Sequence, residues 1–131
     1  MIIGCDTGFF LKLLHTESQA ESYWERIISG ELRAVVSILT LFELSVLAEK
    51  NQIERQSVQV MKAAIQALCQ VAGVDLTTDF VGSAALMVEN TCSPTQAILA
   101  QLFKNKEVKL ILTTDSFFKT LALESVEIVL L

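Results

Sequence analysis

Apolar and polar positions follow two rhythms along the chain. Short unbroken apolar runs, of the kind a strand buried on both faces requires, fall at Ile2-Ile3-Gly4-Cys5, at residues 33–38 around Ala34-Val35-Val36, and at Lys109-Leu110-Ile111-Leu112-Thr113. Between them, apolar residues recur every three or four positions, the spacing of one helix face. Phe9, Phe10, Leu13 and Leu14 predict a helix over residues 7–14. Ala20, Tyr23, Trp24, Ile27 and Ile28 predict another over residues 17–28, with Glu17, Glu21 and Glu25 off the stripe and Gly30 as its stop. A third helix is predicted from Thr40 to about Lys50. The longest is predicted over residues 54–72, with Val58, Met61, Ile65, Leu68 and Ala72 on its apolar face and Gly73 ending it. Val74-Asp75-Leu76-Thr77 reads as a short strand, and Asp79 as the cap of a helix reaching about Asn90. A helix over residues 94–103, a short helix after Asp115 and a last strand over residues 127–131 complete the pattern. Three segments read as capping boxes: Ser18 to Glu21, Thr40 to Glu43, and Ser93 to Gln96, the last with Pro94 at the first helical position.

Strands separated by helices predict an α/β fold: one domain over residues 1–131, three-layer α/β/α, with a mainly parallel sheet covered on both faces. Strand order is not written in the pattern. Composition narrows the picture further. With 52% hydrophobic residues among 131, disorder is excluded. No apolar run approaches the roughly 18 residues of a membrane span. The chain reaches Asp6 at once, so no secretory leader is expected. Cys5, Cys69 and Cys92 have neither the number nor the spacing of a disulfide framework or zinc site. A cytoplasmic, soluble protein is the expectation.

Fifteen acidic against ten basic residues leave a net charge of −5, so a polyanion would need a local basic patch or bound cations. Lys104, Lys106 and Lys109, diluted by Glu107, read as a solvated helix end and loop. In open α/β sheets, ligands bind beyond the carboxyl ends of the strands. The acids that follow the strands are Asp6, Glu43 (one helical turn inward) and Asp115. Taken singly, each suits a helix cap. Taken together at one sheet edge, they would repel one another, and a hard divalent cation, Mg²⁺ or Mn²⁺, would relieve that repulsion.

Three blocks carry a family resemblance: Ile2-Ile3-Gly4-Cys5-Asp6-Thr7, Ser37-Ile38-Leu39-Thr40-Leu41-Phe42-Glu43-Leu44, and Leu110-Ile111-Leu112-Thr113-Thr114-Asp115-Ser116-Phe117. In this order the chain resembles a PIN domain over its whole length, and within that family the VapC-like toxin ribonucleases. The resemblance implies a metal-dependent endoribonuclease with an RNA substrate and an antitoxin protein as partner. It makes Asp6 and Asp115 metal ligands, has Glu43 act through the metal or a bound water, and gives the Thr7 or Thr113 hydroxyl an orienting role. One position departs from the family pattern. Where Asp-Ala-x-Ile-Ala is usual, this chain has Gln96-Ala97-Ile98-Leu99-Ala100, leaving three acids where four are expected. An amide carbonyl still ligates a hard cation, but it carries no charge, and charge count controls affinity at oxygen sites. Glu89 and Asp79 are the nearby acids that would substitute.

The alternative reading is therefore a catalytically decayed PIN-like domain serving as an RNA- or protein-binding module. A receiver-like phosphotransfer domain fits less well, since Cys5-Asp6 is not an acidic pair and Lys119 is displaced from a strand end. His15, the single histidine, suits a helix C-terminus. Tyr23 and Trp24 read as core or interface, and Cys5 as a small buried residue. The apolar stripe over residues 58–72 suits burial against the sheet or a second copy, and a homodimer is expected.

Overall fold

The computed structural model describes residues 1–73, 77–88, 92–120 and 125–131. Five strands, β1 (Ile2–Cys5), β2 (Arg33–Ser37), β3 (Gln70–Ala72), β4 (Leu110–Thr113) and β5 (Glu127–Leu130), form one sheet in the order β3-β2-β1-β4-β5. Every pairing is parallel. The helices between them are α1 (Thr7–Leu14), α2 (Ser18–Ile28), α3 (Ile38–Glu49), α4 (Arg55–Leu68), α5 (Thr78–Val88), α6 (Pro94–Asn105) and α7 (Phe117–Thr120).

The period-two rule of strands divides the core into two. Ile3, Cys5, Ala34, Val36, Leu110 and Leu112 face one side and pack with residues of α1 to α4, among them Phe9, Phe10, Leu44, Val58 and Ile65. Val35 and Ile111 face the other side and pack with Phe80, Phe103 and Phe118 of α5, α6 and α7. The α/β architecture with a parallel sheet covered on both faces is thus the one expected. Strand order adds what the sequence pattern did not carry: the chain builds outward from β1 through β2 to β3, then crosses to the other side of β1 for β4 and β5. The reversal lies between β1 and β4, where such sheets leave a crevice at the strand carboxyl ends.

Several local expectations need correction. The residues after Leu68 do not prolong the helix. Cys69 turns to extended backbone, and Gln70–Ala72 pair with Val35–Ser37 as an edge strand. Only Val58 and Ile65 of the apolar stripe on α4 are buried, both in the protein's own core. The box over Ser18 to Glu21 does not form, because α2 begins at Ser18 itself and Glu17, its N-cap, makes no side-chain capping bond. The box over Thr40 to Glu43 fails for a similar reason. Ser37 at the end of β2 caps α3 by accepting the Leu39 N–H at 3.1 Å, so Thr40 lies inside the helix. Asp79 lies in the first turn of α5, and Thr77 Oγ1 accepts the Phe80 N–H in the capping role. The strand expected over residues 74–77 falls mostly outside the described residues, as does Glu89. The box at Ser93 forms in full, with both reciprocal bonds and Pro94 in the first turn.

Two glycines mark close approaches. A Cβ on Gly4 would meet the Phe103 ring at 2.8–2.9 Å, and one on Gly8 would collide with the Thr114 hydroxyl. The first lets α6 lie flat on the central strand. The second lets α1 press against the loop after β4. Phe103 is 1% exposed and has nowhere to retreat, so Gly4→Ala is expected to cost about 1–3 kcal/mol by overpacking. That corresponds to a melting temperature lower by roughly 4–12 °C. An unchanged melt by circular dichroism would contradict this packing.

Candidate active site

The register of the central strands sets the site. Cys5 stands beside Leu112 on one side and Val36 on the other, so Asp6 leaves β1 level with Thr113. The Asp6 N–H continues the ladder to Leu112 O at 3.3 Å. Its side chain is buried and shared between two donors. Oδ1 accepts the Phe9 N–H at 3.0 Å, capping α1, and Oδ2 accepts the Thr113 hydroxyl. Thr113 Oγ1 in turn accepts the Asp115 N–H at 2.9 Å. One buried hydroxyl therefore ties the first acid to the backbone of the last.

Asp115 is half-buried, and both its oxygens are engaged. Oδ1 accepts the Phe117 N–H at 3.0 Å at the start of α7, and Oδ2 accepts Gln96 Nε2 at 2.6 Å. Gln96 Oε1 accepts the Ser93 N–H at 2.9 Å within the capping box of α6. The amide carbonyl, considered above as a cation ligand, is thus spent on the backbone, and the NH₂ group faces the carboxylate. Glu43, half-buried on α3, accepts the Thr7 hydroxyl at 3.2 Å through Oε2. It does not serve the helix cap suggested by its sequence context.

One cleft of about 590 Å³ has Asp6, Glu43, Asp115, Thr7 and Gln96 on its walls, together with the hydroxyl residues Ser93, Thr95 and Thr114 and apolar residues that include Leu39, Phe42 and Leu99. Among the described residues, three carboxylates and no Lys, Arg or His line it. Burial pushes the Asp6 carboxyl up to about 6, against the lowering effect of its Thr113 and Phe9 donors and with further upward push from Asp115 and Glu43. Among the described residues, no three His, Cys, Asp or Glu side chains are drawn together closely enough to form a ready cage for a metal ion.

Sequence reasoning missed two contributors, Ser37 and Thr114. A Ser ending a buried strand was the available signal for the first. The second shows only once Gly8 is seen to press on it. Residues set aside earlier lie away from the cleft lining. His15 ends α1 with Nδ1 against Leu11 O at 2.7 Å. Trp24 packs edge-on to Phe10 at 6.1 Å. Lys104, Lys106 and Lys109 are exposed near the end of α6 and before β4, opposite the carboxyl end of that strand. Cys5 is fully buried, and burial, then Cys69 and Asp6, push its thiol up and keep it neutral.

The PIN domain family model matches residues 3–123. The chain belongs to the PIN domain family. Members of that family generally use divalent metal ions. Solved structures agree in fold. VapBC2 from Rickettsia felis, solved bound to a promoter DNA fragment, superposes with a TM-score of 0.77 at 12% identity, covering 100% of this chain and 99% of that one. VapC20 of Mycobacterium tuberculosis, a toxin that cleaves the sarcin-ricin loop, gives 0.71 at 20% identity over 95% of this chain and 98% of that one. A toxin–antitoxin complex from Klebsiella pneumoniae gives 0.70 at 16% identity over 97% and 95%. No curated protein matches the chain at a significant level.

The donor chemistry of this PIN domain fits a hard divalent cation: the carboxylates of Asp6, Glu43 and Asp115 with the Thr7 hydroxyl, and no cationic side chain among the described residues that line the cleft. The buried charge has a separate consequence for stability. Because the folded carboxyl of Asp6 titrates near 6 and its ordinary value is 3.8, the native state holds an extra proton between those values. The contribution of Asp6 to stability is therefore most favourable below about pH 4, falls as pH rises to about 6, and is level above. Asp6→Asn removes that slope while keeping an oxygen to cap α1. In chelator the stability difference between Asp6→Asn and wild type is expected to move in the variant's favour by roughly 1–3 kcal/mol between pH 4 and pH 7.5, on top of a pH-independent cost for the Thr113 hydroxyl, which loses its acceptor. Urea melts across that range check this, and a gap that stays constant with pH would contradict it.

Proposed function

We propose that this PIN domain is a divalent-metal-dependent endoribonuclease of the toxin–antitoxin type, acting on RNA phosphodiester bonds with Mg²⁺ or Mn²⁺. One observation carries the reading: Asp6, Glu43 and Asp115, from three distant segments, line one cleft at the switch point of the sheet with no basic side chain among its described lining residues. Such a cleft repels a phosphodiester unless a cation intervenes. A bound divalent ion would polarise a phosphoryl oxygen and lower the pKa of a water molecule.

The chain's own residues supply the rest. Asp6 and Asp115 would hold the ion, each fixed by a backbone N–H at a helix start. Thr113 orients Asp6, and Thr7 orients Glu43. Glu43 has a second oxygen with no hydrogen-bond donor among the described residues, suited to taking a proton from an attacking water. Phe42, 65% exposed on the cleft wall, offers an apolar face against which an unstacked base would pack. The folds of the toxin complexes above support an antitoxin partner. A homodimer is also part of the proposal, with the exposed Val60 and Leu68 of α4 as apolar positions free to meet a second copy. Cytoplasmic action completes the proposal, in keeping with three free cysteines.

A second reading, a decayed domain that binds RNA or protein without cleaving it, is favoured by one feature: the acid expected beside Asp115 is Gln96. Purified protein with Mn²⁺ is expected to cut RNA, and chelator to stop it. Asp6→Asn and Asp115→Asn should each lower the rate by about a hundredfold or more, the loss expected when several kcal/mol of metal-derived stabilisation goes. The active species should sediment at twice 14.4 kDa. Equal cutting by wild type and both variants would trace it to a contaminant. RNA binding without cutting would establish the second reading.

A further inference from the structure

The amide that replaces an acid at position 96 is not a neutral gap in the site. Its orientation is settled by its partners: Oε1 faces the Ser93 N–H, a donor, so Nε2 must be the atom on Asp115. Ser93 Oγ closes the box by accepting the Gln96 N–H at 3.2 Å, and Pro94 stiffens the turn. The side chain is therefore held at both ends. Its contact with Asp115 Oδ2, at 2.6 Å, is short and charge-assisted, and the other oxygen of Asp115 is already committed to α7.

We propose that Gln96 sets the metal affinity of the cleft by competition: it occupies Asp115 with an N–H donor, and a cation gains that carboxylate oxygen only by displacing or sharing the amide. This rests on the metal-dependent reading above and deepens it. On this account Gln96 opposes the ion, where a carbonyl ligand at the same position would assist it. The two roles differ in sign when the side chain is removed. These two bonds hold Asp115 toward α6 and α7. A carboxylate at position 96 would reverse the relation. Glu still accepts the Ser93 N–H and keeps the box, but sets a second negative charge against Asp115.

The test is calorimetric titration of Mn²⁺, without nucleic acid, into wild type, Gln96→Ala, Gln96→Leu and Gln96→Glu. Thermal melts with and without Mn²⁺ establish that each is folded. Ala and Leu both lack the donor, so one cooperative melt between them suffices. Either is expected to bind Mn²⁺ about tenfold more tightly than wild type, the worth of one hydrogen bond to a charged group. Gln96→Glu is expected to bind more tightly still, to melt below wild type without metal, and to recover with it. Folded Ala and Leu variants that bind Mn²⁺ no more tightly than a wild type that does bind would overturn the competition while leaving the metal site standing. No binding by any of the four, Gln96→Glu included, would overturn the metal-dependent reading itself and the competition with it.

Discussion

A carboxylate buried at the carboxyl end of the central strand has to be satisfied, and the way Asp6 is satisfied organises the site. Removing a charge from water is costly unless hydrogen bonds replace the lost solvation. Asp6 finds its donors at the start of α1 and on the neighbouring strand β4. The Thr113 hydroxyl that serves it also accepts the Asp115 N–H, so the first helix, the central strand pair and the loop that carries the last acid are locked into one unit. Among the described residues, no buried side-chain nitrogen or oxygen is left without a partner. Asp6 is nevertheless held above its ordinary titration range, chiefly by burial and further by two other carboxylates. The hydrogen bonds make the group tolerable in the fold, and a negative excess remains facing the cleft.

That residual charge links fold to chemistry. A protein of net charge −5 has no overall field to draw in RNA, and its basic run lies opposite the carboxyl end of β4. On the proposed reading, the cleft takes a cation before it takes a phosphate. Gln96 tempers that demand by lending Asp115 an N–H. Two ways of quieting a carboxylate, a neutral donor and a metal ion, meet at one oxygen.

Much of this was legible in the sequence, for reasons that vary by element. Strands β1, β2 and β4 announce themselves because both faces are buried, and α1 because Asp6 precedes an apolar stripe. Pro94 with Ser93 and Gln96 marks the start of α6 without ambiguity. Where two polar residues compete to begin a helix, pattern alone chose wrongly. Ser37 takes the cap because it ends a buried strand with its hydroxyl beside the Leu39 N–H, and Thr40 is left inside. Edge strand β3 hid within a helical stripe because Val71 and Ala72 serve either period, and only pairing with β2 decides between them. That the three acids line one cleft depends on strand order, which no local pattern carries. The turning of the Gln96 amide toward Asp115 depends on a backbone N–H three residues earlier, visible only in three dimensions.

The central claim is that the side chains of Asp6, Glu43 and Asp115 share a single ion. Anomalous diffraction from a crystal soaked in Mn²⁺ tests it most directly. The account expects one strong peak in the cleft within ligand distance, about 2.1–2.3 Å, of Asp6 and Asp115, with Glu43 bound directly or through a water. A cleft without a peak at saturating Mn²⁺, with the Gln96 amide still seated on Asp115, would contradict it.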